Sequence, residues 1–568
     1  MNNKLKSRLF KRSMWTLLAV FFMLILAIFI IVTPIAKQYE MFVDQFFNVT
    51  RTVPVEADTD NPNDFQYYTS EFATKDENGN YILETKSGVN TQVLDQERMR
   101  ARSREIAEQV NAEGSVLLWN NALSVDAQGN DVCALPLSKG DRISNFGMGT
   151  VSWVWSGIGS GKVEFETEAE EKYYTDVKAM LTREEVGLIV NDECFKSLEN
   201  GKARGFGIPL GEANDMPWEN YSKAAKDAIP QFGDAAVYVI SRLFGEGVDM
   251  SDPAKLSDDK DKLSLSRNEL SVLDGLKELK KNGDIKKIIL VLNTAGPVNL
   301  KGVDQNAVDA CLWVGWGGHM GVDAFTDLLV GNRTPSGHSP DTWAYDLKSS
   351  PASKNQPRAY NNVAAGTPDG HNKFVAYQEG IYVGYRYYET RYEDVILGRG
   401  NASDPVGAVM KKTEWDYNAE TAFPFGYGLS YTSFAYSGFS AEKDKKTGDY
   451  TITLTVHNTG SRVGKDAVQV YLQKPYTQYD IDNKIEKSSV ELVGFTKTPD
   501  IEPGKSATVT VTVPEYEFKS YDSYGAGTYI LEKGDYYLAV GDNAHDALNN
   551  ILAAKNYTVA DGMDYNGD

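Results

Sequence analysis

Apolar and polar positions divide the chain into stretches of different character. After Lys4, Lys6, Arg8, Lys11 and Arg12, the run from Trp15 to Ala36 carries no charge. As a helix it is long enough to cross the hydrocarbon core of a bilayer. Basic residues on the short flank predict that this end is cytoplasmic and that everything after Lys37 lies outside the cell. The run exceeds the ~7–15 residue apolar core of a cleaved signal peptide, and no Ala-x-Ala site follows it, so an uncleaved anchor is expected. The reading is a basic tail over 1–12, a transmembrane helix over 13–36 and a polar spacer over 37–92. In the spacer, Asp76-Glu-Asn-Gly-Asn80 contains the Asn-Gly pair of a hairpin turn.

From Gln96 to Asn111 charged residues surround Ile106 and Val110, four apart, which predicts a helix with one buried stripe ending near Gly114. Its expected partner is the apolar run Ser115 to Trp119. Between Leu135 and Ala295 short apolar runs alternate with longer amphipathic segments, the pattern of a layered α/β domain. Strands are predicted at Arg142–Phe146, Ala235–Ile240, Ile288–Leu292 and Ala310–Val314. Helices are predicted at Glu168–Leu181, Arg183–Val190, Arg267–Asn282 and Gly321–Leu329, the last ending before Pro335-Ser-Gly337. After Tyr431 the period changes to two. Tyr450–Val456 and Ala507–Val513 alternate polar with β-branched residues, and Val468–Leu472, Val490–Phe495 and Asp535–Val540 add further strands. Short strands separated by turns such as Asn458-Thr-Gly460 and Pro503-Gly504 indicate a β-sandwich of roughly a hundred residues.

Composition narrows the chemistry. A chain of 568 residues with 42% hydrophobic and 24% charged content has enough apolar surface for more than one core. A net charge of -21 leaves no basic surplus to displace counterions from phosphates, so no nucleic-acid partner is expected. Cys133, Cys194 and Cys311 are too few and too dispersed for a disulfide framework or a zinc site. His319, His338, His371, His457 and His545 never fall at ligand spacing. No metal or cofactor is predicted.

The candidate chemistry lies at Ala235-Ala-Val-Tyr-Val-Ile-Ser-Arg-Leu-Phe-Gly-Glu-Gly-Val-Asp249, where an apolar run ends in a carboxylate between two glycines. Val237, Val239 and Ile240 suit a strand buried on both faces, and the glycines permit a sharp turn where it stops. Ligands of open α/β sheets gather just beyond such strand ends, although a glutamate between glycines also occurs as a plain solvated turn residue. Two phosphate-loop patterns fail. In Gly157-Ile-Gly-Ser-Gly-Lys162, Ser156 occupies the place of the first glycine and Val163 that of the magnesium-holding hydroxyl. After Gly147-Met-Gly149, Trp153 and Trp155 crowd the turn where a dinucleotide fingerprint requires a third glycine and a helix. Two indoles beside a glycine loop suit either a core or stacking on a sugar ring.

From about Ile106 to Leu552 the chain resembles the non-barrel portion of a family 3 glycoside hydrolase. The resemblance is carried in order by Ala112-Glu-Gly-Ser-Val-Leu-Leu118, Leu135-Pro-Leu137, Gly159-Ser-Gly-Lys-Val163 and Ser241-Arg-Leu-Phe-Gly-Glu-Gly-Val-Asp249. It continues with Leu292-Asn-Thr-Ala-Gly-Pro297, Leu329-Val-Gly-Asn-Arg-Thr-Pro-Ser-Gly337, Ile381-Tyr-Val-Gly-Tyr-Arg-Tyr-Tyr388 and Phe423-Pro-Phe-Gly-Tyr-Gly-Leu-Ser-Tyr431. It implies an (α/β)6 sandwich domain, over 93–430, followed by a fibronectin type III-like domain over 431–560, with 561–568 as a linker or truncated end, the arrangement of a permuted member whose barrel follows the fibronectin-like domain. It implies a retaining β-glucosidase-type activity on oligosaccharides or β-glycosides, with Glu246 as acid/base. A retaining glycosidase needs one carboxylic acid to protonate the departing oxygen and then deprotonate water. Arg242, Asp249, Trp153, Trp155, Gly159, Ser160 and Gly161 are the expected substrate-binding residues, with a structural ion pair as the other reading of Arg242 and Asp249. His319-Met320 departs from the Gln-Glu of many relatives.

The second carboxylate of such an enzyme, an aspartate nucleophile, belongs to a (β/α)8 barrel of roughly 250 residues that no stretch here builds. The expected partner is therefore that missing barrel, whether the chain is truncated or split from it, and this chain alone is expected to be inactive. The competing readings are a noncatalytic extracellular glycan-binding or scaffold module and a nucleotide-dependent α/β enzyme.

Overall fold

The computed structural model describes residues 11, 13–26, 70–86, 89–127, 129, 131–165, 167–210, 214–245, 263–347, 349–354, 360–361, 373–374, 377, 379–398 and 415–567. They fall into two compact units, residues 1–102 and 103–568. In the first, a helix covers 13–26. Among the described residues no helix is long and apolar enough to cross a membrane, and 27–36 of the expected anchor lie outside them. The Asn-Gly turn forms as expected: Asp76 N donates to Asn80 O at 2.9 Å, and Gly79 takes a positive φ of 85°.

In the second unit a six-stranded sheet forms the framework. Its strands are β1 (Val116–Asn120), β2 (Arg142–Phe146), β3 (Ile189–Val190), β4 (Ala235–Ser241), β5 (Ile288–Asn293) and β6 (Ala310–Trp313). They lie in the order β1-β6-β5-β4-β2-β3. β1 pairs antiparallel with β6, and every other pairing is parallel. Successive residues of a strand face opposite sides, so β-branched runs fill two cores at once. Ala236, Tyr238, Ile240, Leu290 and Leu292 enter one core, and Val237, Val239, Ile289, Val291 and Leu312 the other. Helices α1 (Gln96–Gly114), α2 (Asp192–Ala203), α3 (Arg267–Asn282) and α4 (Gly321–Val330) were expected in part. Val272, Leu273 and Leu276 of α3 cover the first face, and Val322, Phe325 and Leu329 of α4 the second.

Three helix expectations fail locally. On α1 the expected buried stripe is exposed, Ile106 at 45% and Val110 at 65%, and Ala112 is the buried residue. The run Glu168–Leu181 breaks into Glu168–Tyr174 and Val177–Thr182, because the Asp176 side chain accepts from Ala179 N and starts a new helix. Arg183–Val190 is not a helix: Gly187, at φ 63°, bonds back to Arg183 O, and Ile189 then pairs beside β2.

The sandwich consists of two three-stranded antiparallel sheets. β7 (Phe434–Lys443), β8 (Tyr450–Asn458) and β11 (Ser506–Val513) form one, and β9 (Ala467–Gln473), β10 (Glu491–Lys497) and β14 (Tyr537–Gly541) the other. Ile452, Val470, Leu472, Val511 and Val513 meet between them. A short hairpin of β12 (Ser520–Asp522) and β13 (Thr528–Ile530) precedes β14. Helix α5 (Tyr385–Leu397), the short α6 (Gln478–Asn483) and the unexpected α7 (Ala544–Ala554) complete this region. Tyr387, Tyr388 and Tyr392 of α5 share a core with Leu548, Ile551 and Leu552 of α7.

His545 is buried between two carboxylates, with Nδ1 2.8 Å from Glu389 Oε2 and Nε2 3.1 Å from Asp564 Oδ2. Burial disfavours the imidazolium, but Glu389 and then Asp564 outweigh it and raise the pKa from 6.5 to about 9. A raised pKa contributes stability that is fully present below the unfolded value and is lost as pH rises through the folded one. The expected outcome is that hydrogen exchange around Asp564 accelerates between pH 7 and 9 beyond the intrinsic rate, and that His545→Asn abolishes the excess.

Candidate functional site

Parallel pairing places the carboxyl ends of β2, β4, β5 and β6 along one rim, and the loops leaving them are tied together by buried polar groups. Asn293, the last residue of β5, makes four hydrogen bonds. Its Nδ2 donates to Val154 O and Gly315 O, both at 2.8 Å, while its Oδ1 accepts from Val154 N at 2.9 Å and Ser241 Oγ at 2.8 Å. One side chain thereby holds the loops after β2 and β6 against the end of β4. Trp316 Nε1 adds a bond to Arg242 O at 3.0 Å.

The glycines after β2 serve close packing. A Cβ on Gly147 would lie 2.2 Å from Val239 O, and one on Gly149 2.3 Å from Ser241 Oγ, so this loop lies directly against β4. Gly147 N donates to Tyr221 Oη and Met148 N to Asp215 Oδ1. These amides are engaged inside the protein and make no phosphate cradle.

Trp153 and Trp155 separate. Trp153 is buried and stacked on Phe325, centroids 5.3 Å apart, and borders the same cleft as Trp155. Trp155 is half-buried, donates to Val163 O at 3.1 Å and lines an open cleft of about 650 Å³ with Gly157, Ile158, Lys162, Phe206 and Leu243. Gly159, Ser160 and Gly161 form a single exposed 3-10 turn entered through Gly159 at φ 86°. Ile158 N donates to Phe244 O at 3.1 Å, and Ile158 pairs with Gly245 as an isolated parallel bridge. A Cβ on Gly245 would stand 1.9 Å from Ile158 Cγ1, which fixes glycine there. The turn therefore lies beside the end of the β4 extension. Glu246 and Asp249 lie outside the described residues, which resume at Leu263.

Arg242 was expected at the substrate, and the structure places it inward instead. At 1% exposure it makes a bidentate pair with Glu269, Nη1 to Oε1 at 2.5 Å and Nη2 to Oε2 at 2.9 Å. Nη1 also donates to Ser241 O, and Nη2 to Ser264 O at 3.1 Å. The guanidinium thus fastens the chain on both sides of the 246–262 segment. Glu269 doubles as the third helical residue of α3, accepting from Ser266 N while Ser266 Oγ accepts from Glu269 N.

Asp215 went unnoticed in the sequence. Fully buried nearby, it accepts from Tyr238 Oη at 2.9 Å, Met148 N at 2.8 Å and Met216 N at 2.7 Å. Burial, and secondarily the charge of Glu269, push its pKa up to about 7. His319 bonds Glu164 O through Nε2 at 2.9 Å and stacks on Phe165. Among the described residues no cluster of His, Cys, Asp or Glu has the arrangement of a metal site. A half-buried indole, an exposed glycine turn and backbone from two loops can hold an uncharged polyol.

Comparison with known proteins places this rim within a family pattern. Residues 116–385 match the glycosyl hydrolase family 3 C-terminal domain, and residues 466–544 match the fibronectin type III-like domain. A β-glucosidase of Ruminococcus albus is 30% identical over 78% of this chain and 40% of its own length. β-Glucosidase A of Butyrivibrio fibrisolvens is 27% identical over 79% of this chain and 51% of its own. The chain thus spans about half or less of these relatives. β-Glucosidase 3B of Thermotoga neapolitana, solved in complex with α-D-glucose, superposes with a TM-score of 0.61 at 27% identity, covering 80% of this chain and 54% of that one. A β-glucosidase from Paenibacillus barengoltzii superposes with a TM-score of 0.60 at 26% identity, over 78% and 42% of the two chains.

Proposed function

We propose that this chain, which belongs to glycosyl hydrolase family 3 through that family's C-terminal domain, supplies the acid/base half of a retaining β-glucosidase-type active site. The observation that carries the reading is the cleft at the carboxyl rim. Leu243 forms part of its wall, and Leu243-Phe244-Gly245 leads straight to Glu246.

In this reading Glu246 protonates the glycosidic oxygen as the bond to the departing group breaks, then takes a proton from the water that releases the sugar. The nucleophile comes from a (β/α)8 barrel, a fold that the described residues do not form. Arg242 and Glu269 act as positioning residues, fixing both roots of the segment that bears Glu246 and Asp249. Trp155 offers an apolar ring face to the sugar, with the Gly159–Gly161 turn beside it. The substrates are terminal, nonreducing β-D-glycosides.

The cleft is tested in the barrel-containing protein with a β-glucoside and Trp155→Ala. The expected result is a rise in KM of about tenfold, the loss of one ring contact of ~1.4 kcal/mol, with kcat nearly unchanged. An unchanged KM removes Trp155 from the substrate contacts.

The N-terminal region fits a single-pass anchor at the cell membrane with the bulk of the chain outside. Its support is the apolar composition of 13–36 and the exposure of Trp15, Leu17, Phe21 and Phe22 along the described helix. Membranes washed with alkaline carbonate should retain the chain and release a variant lacking 1–36. Release of both contradicts the anchor.

A further inference from the structure

The sandwich carries an aromatic surface that the cleft does not use. Tyr516, Tyr521, Tyr524 and Tyr529 are 53%, 52%, 76% and 48% exposed, whereas Tyr387, Tyr388 and Tyr392 of the same unit fill a core. Tyr521 and Tyr529 are direct cross-strand partners in the β12–β13 hairpin, centroids 5.1 Å apart, and Tyr516 packs against Tyr529 at 5.0 Å. Three rings form a continuous ridge, and Tyr524 stands at the turn between the strands. Scattered exposed apolar residues need no explanation, but a contiguous exposed patch marks a binding surface.

The ridge is rigidly mounted. Asp522, at the start of the turn, accepts from Tyr479 Oη at 2.6 Å, Gly525 N at 2.7 Å and Ala526 N at 2.6 Å. These bonds, Tyr479 foremost, pull its pKa down to about 2, so the carboxylate stays ionised and the turn stays closed at neutral pH. A Cβ on Gly525 would meet Asp522 Oδ2 at 2.5 Å and Asn483 Oδ1 at 2.7 Å, so α6 also supports the turn. Beneath the ridge, Phe518 is buried against Tyr450 and Tyr536. Little order therefore remains for the protein to acquire on binding.

The chemistry of the patch selects the ligand class. Tyrosine presents a flat apolar face together with a hydroxyl, matching a pyranose that exposes C–H on its faces and hydroxyls at its edges. Glu517 and Glu515, the latter paired with Lys519 at 3.3 Å, flank the ridge, and the chain's net charge of -21 disfavours polyanions and leaves neutral polymers unopposed. We propose that Tyr516, Tyr521, Tyr524 and Tyr529 form a binding surface for neutral β-glucan chains, separate from the cleft. The choice of a β-glucan rests on the β-glucosidase reading, while the ridge rests on its own geometry.

The test is co-sedimentation of the full chain with amorphous cellulose, an insoluble β-1,3-glucan and xylan, each variant being checked for an unchanged unfolding midpoint. The wild type should sediment with at least one glucan. Tyr521→Ala/Tyr529→Ala and, separately, the turn variant Tyr524→Ala should weaken retention by about tenfold. Trp155→Ala and Glu246→Gln should leave it unchanged. Absence of wild-type retention on both glucans, whatever happens on xylan, or full retention by folded ridge variants, overturns the proposal. Retention abolished by Trp155→Ala overturns it as well, since the cleft would then be the binding surface. Ridge-dependent retention of this chain, together with turnover of the barrel-containing protein that ignores Glu246→Gln, upholds the ridge and removes the acid/base assignment, so the two readings fail separately.

Discussion

Glu246→Gln is expected to lower kcat/KM for unactivated β-glucosides by about 10²–10⁴-fold in the barrel-containing protein. A glutamine amide fills nearly the same volume but neither donates a proton to the departing alcohol nor accepts one from water, so folding and ground-state binding should persist while both chemical steps slow. The loss should depend on the leaving group. An aryl group that departs as a stable phenolate needs little protonation, so the first step should survive with such substrates and the second become limiting. Equal losses for alkyl and activated aryl β-glucosides would instead point to a structural effect.

Glu269→Ala is expected to destabilise the α/β region by about 3–5 kcal/mol. The substitution leaves the Arg242 guanidinium buried at 1% exposure with its bidentate partner removed, and it also deletes the capping box at the start of α3. A paired double substitution, Arg242→Met with Glu269→Leu, should recover much of the loss, because burying two apolar groups avoids the desolvation of two charges. Both are read as shifts in urea midpoint at constant m. A single-variant loss below about 1 kcal/mol would show that solvent reaches the pair. Asp215 offers an internal control: Glu269 is one cause of its raised pKa, so its pKa should fall when that charge is removed.

Much of this architecture was legible because its signals are local. The strands at 235–241 and 288–293 announced themselves as apolar, β-branched-rich runs without polar alternation, and the structure buries them on both faces. The two-residue period after Tyr431 carried equal information: Ile452, Leu454 and Val456 point into the sandwich, whereas Thr453 and Thr455 face Thr510 and Thr508 across the strands. Family motifs supplied the rest, since Gly-Glu-Gly alone describes many solvated turns.

What stayed hidden depends on tertiary pairing. Arg242 reads as a substrate ligand until α3 brings Glu269 beneath it. Trp153 and Trp155 look equivalent, and both border the cleft, yet Trp153 is buried on Phe325 of α4 whereas Trp155 is half-buried. Asp215 gains its character from Tyr238 and Met148, contributed by separate stretches. The break at Asp176 is a capping event that a periodicity count passes over. Exposed tyrosines at 516, 521 and 529 become a ridge only once the β12–β13 register is known.

The central claim, that Glu246 is the proton donor and acceptor of this rim, is tested most directly by azide rescue of Glu246→Ala with a dinitrophenyl β-glucoside. The account predicts slow turnover limited by release of the glycosyl-enzyme, faster turnover as azide is added, and formation of a β-glycosyl azide, because azide attacks without a general base. Turnover equal to the wild type, or a slow variant indifferent to azide, would contradict it.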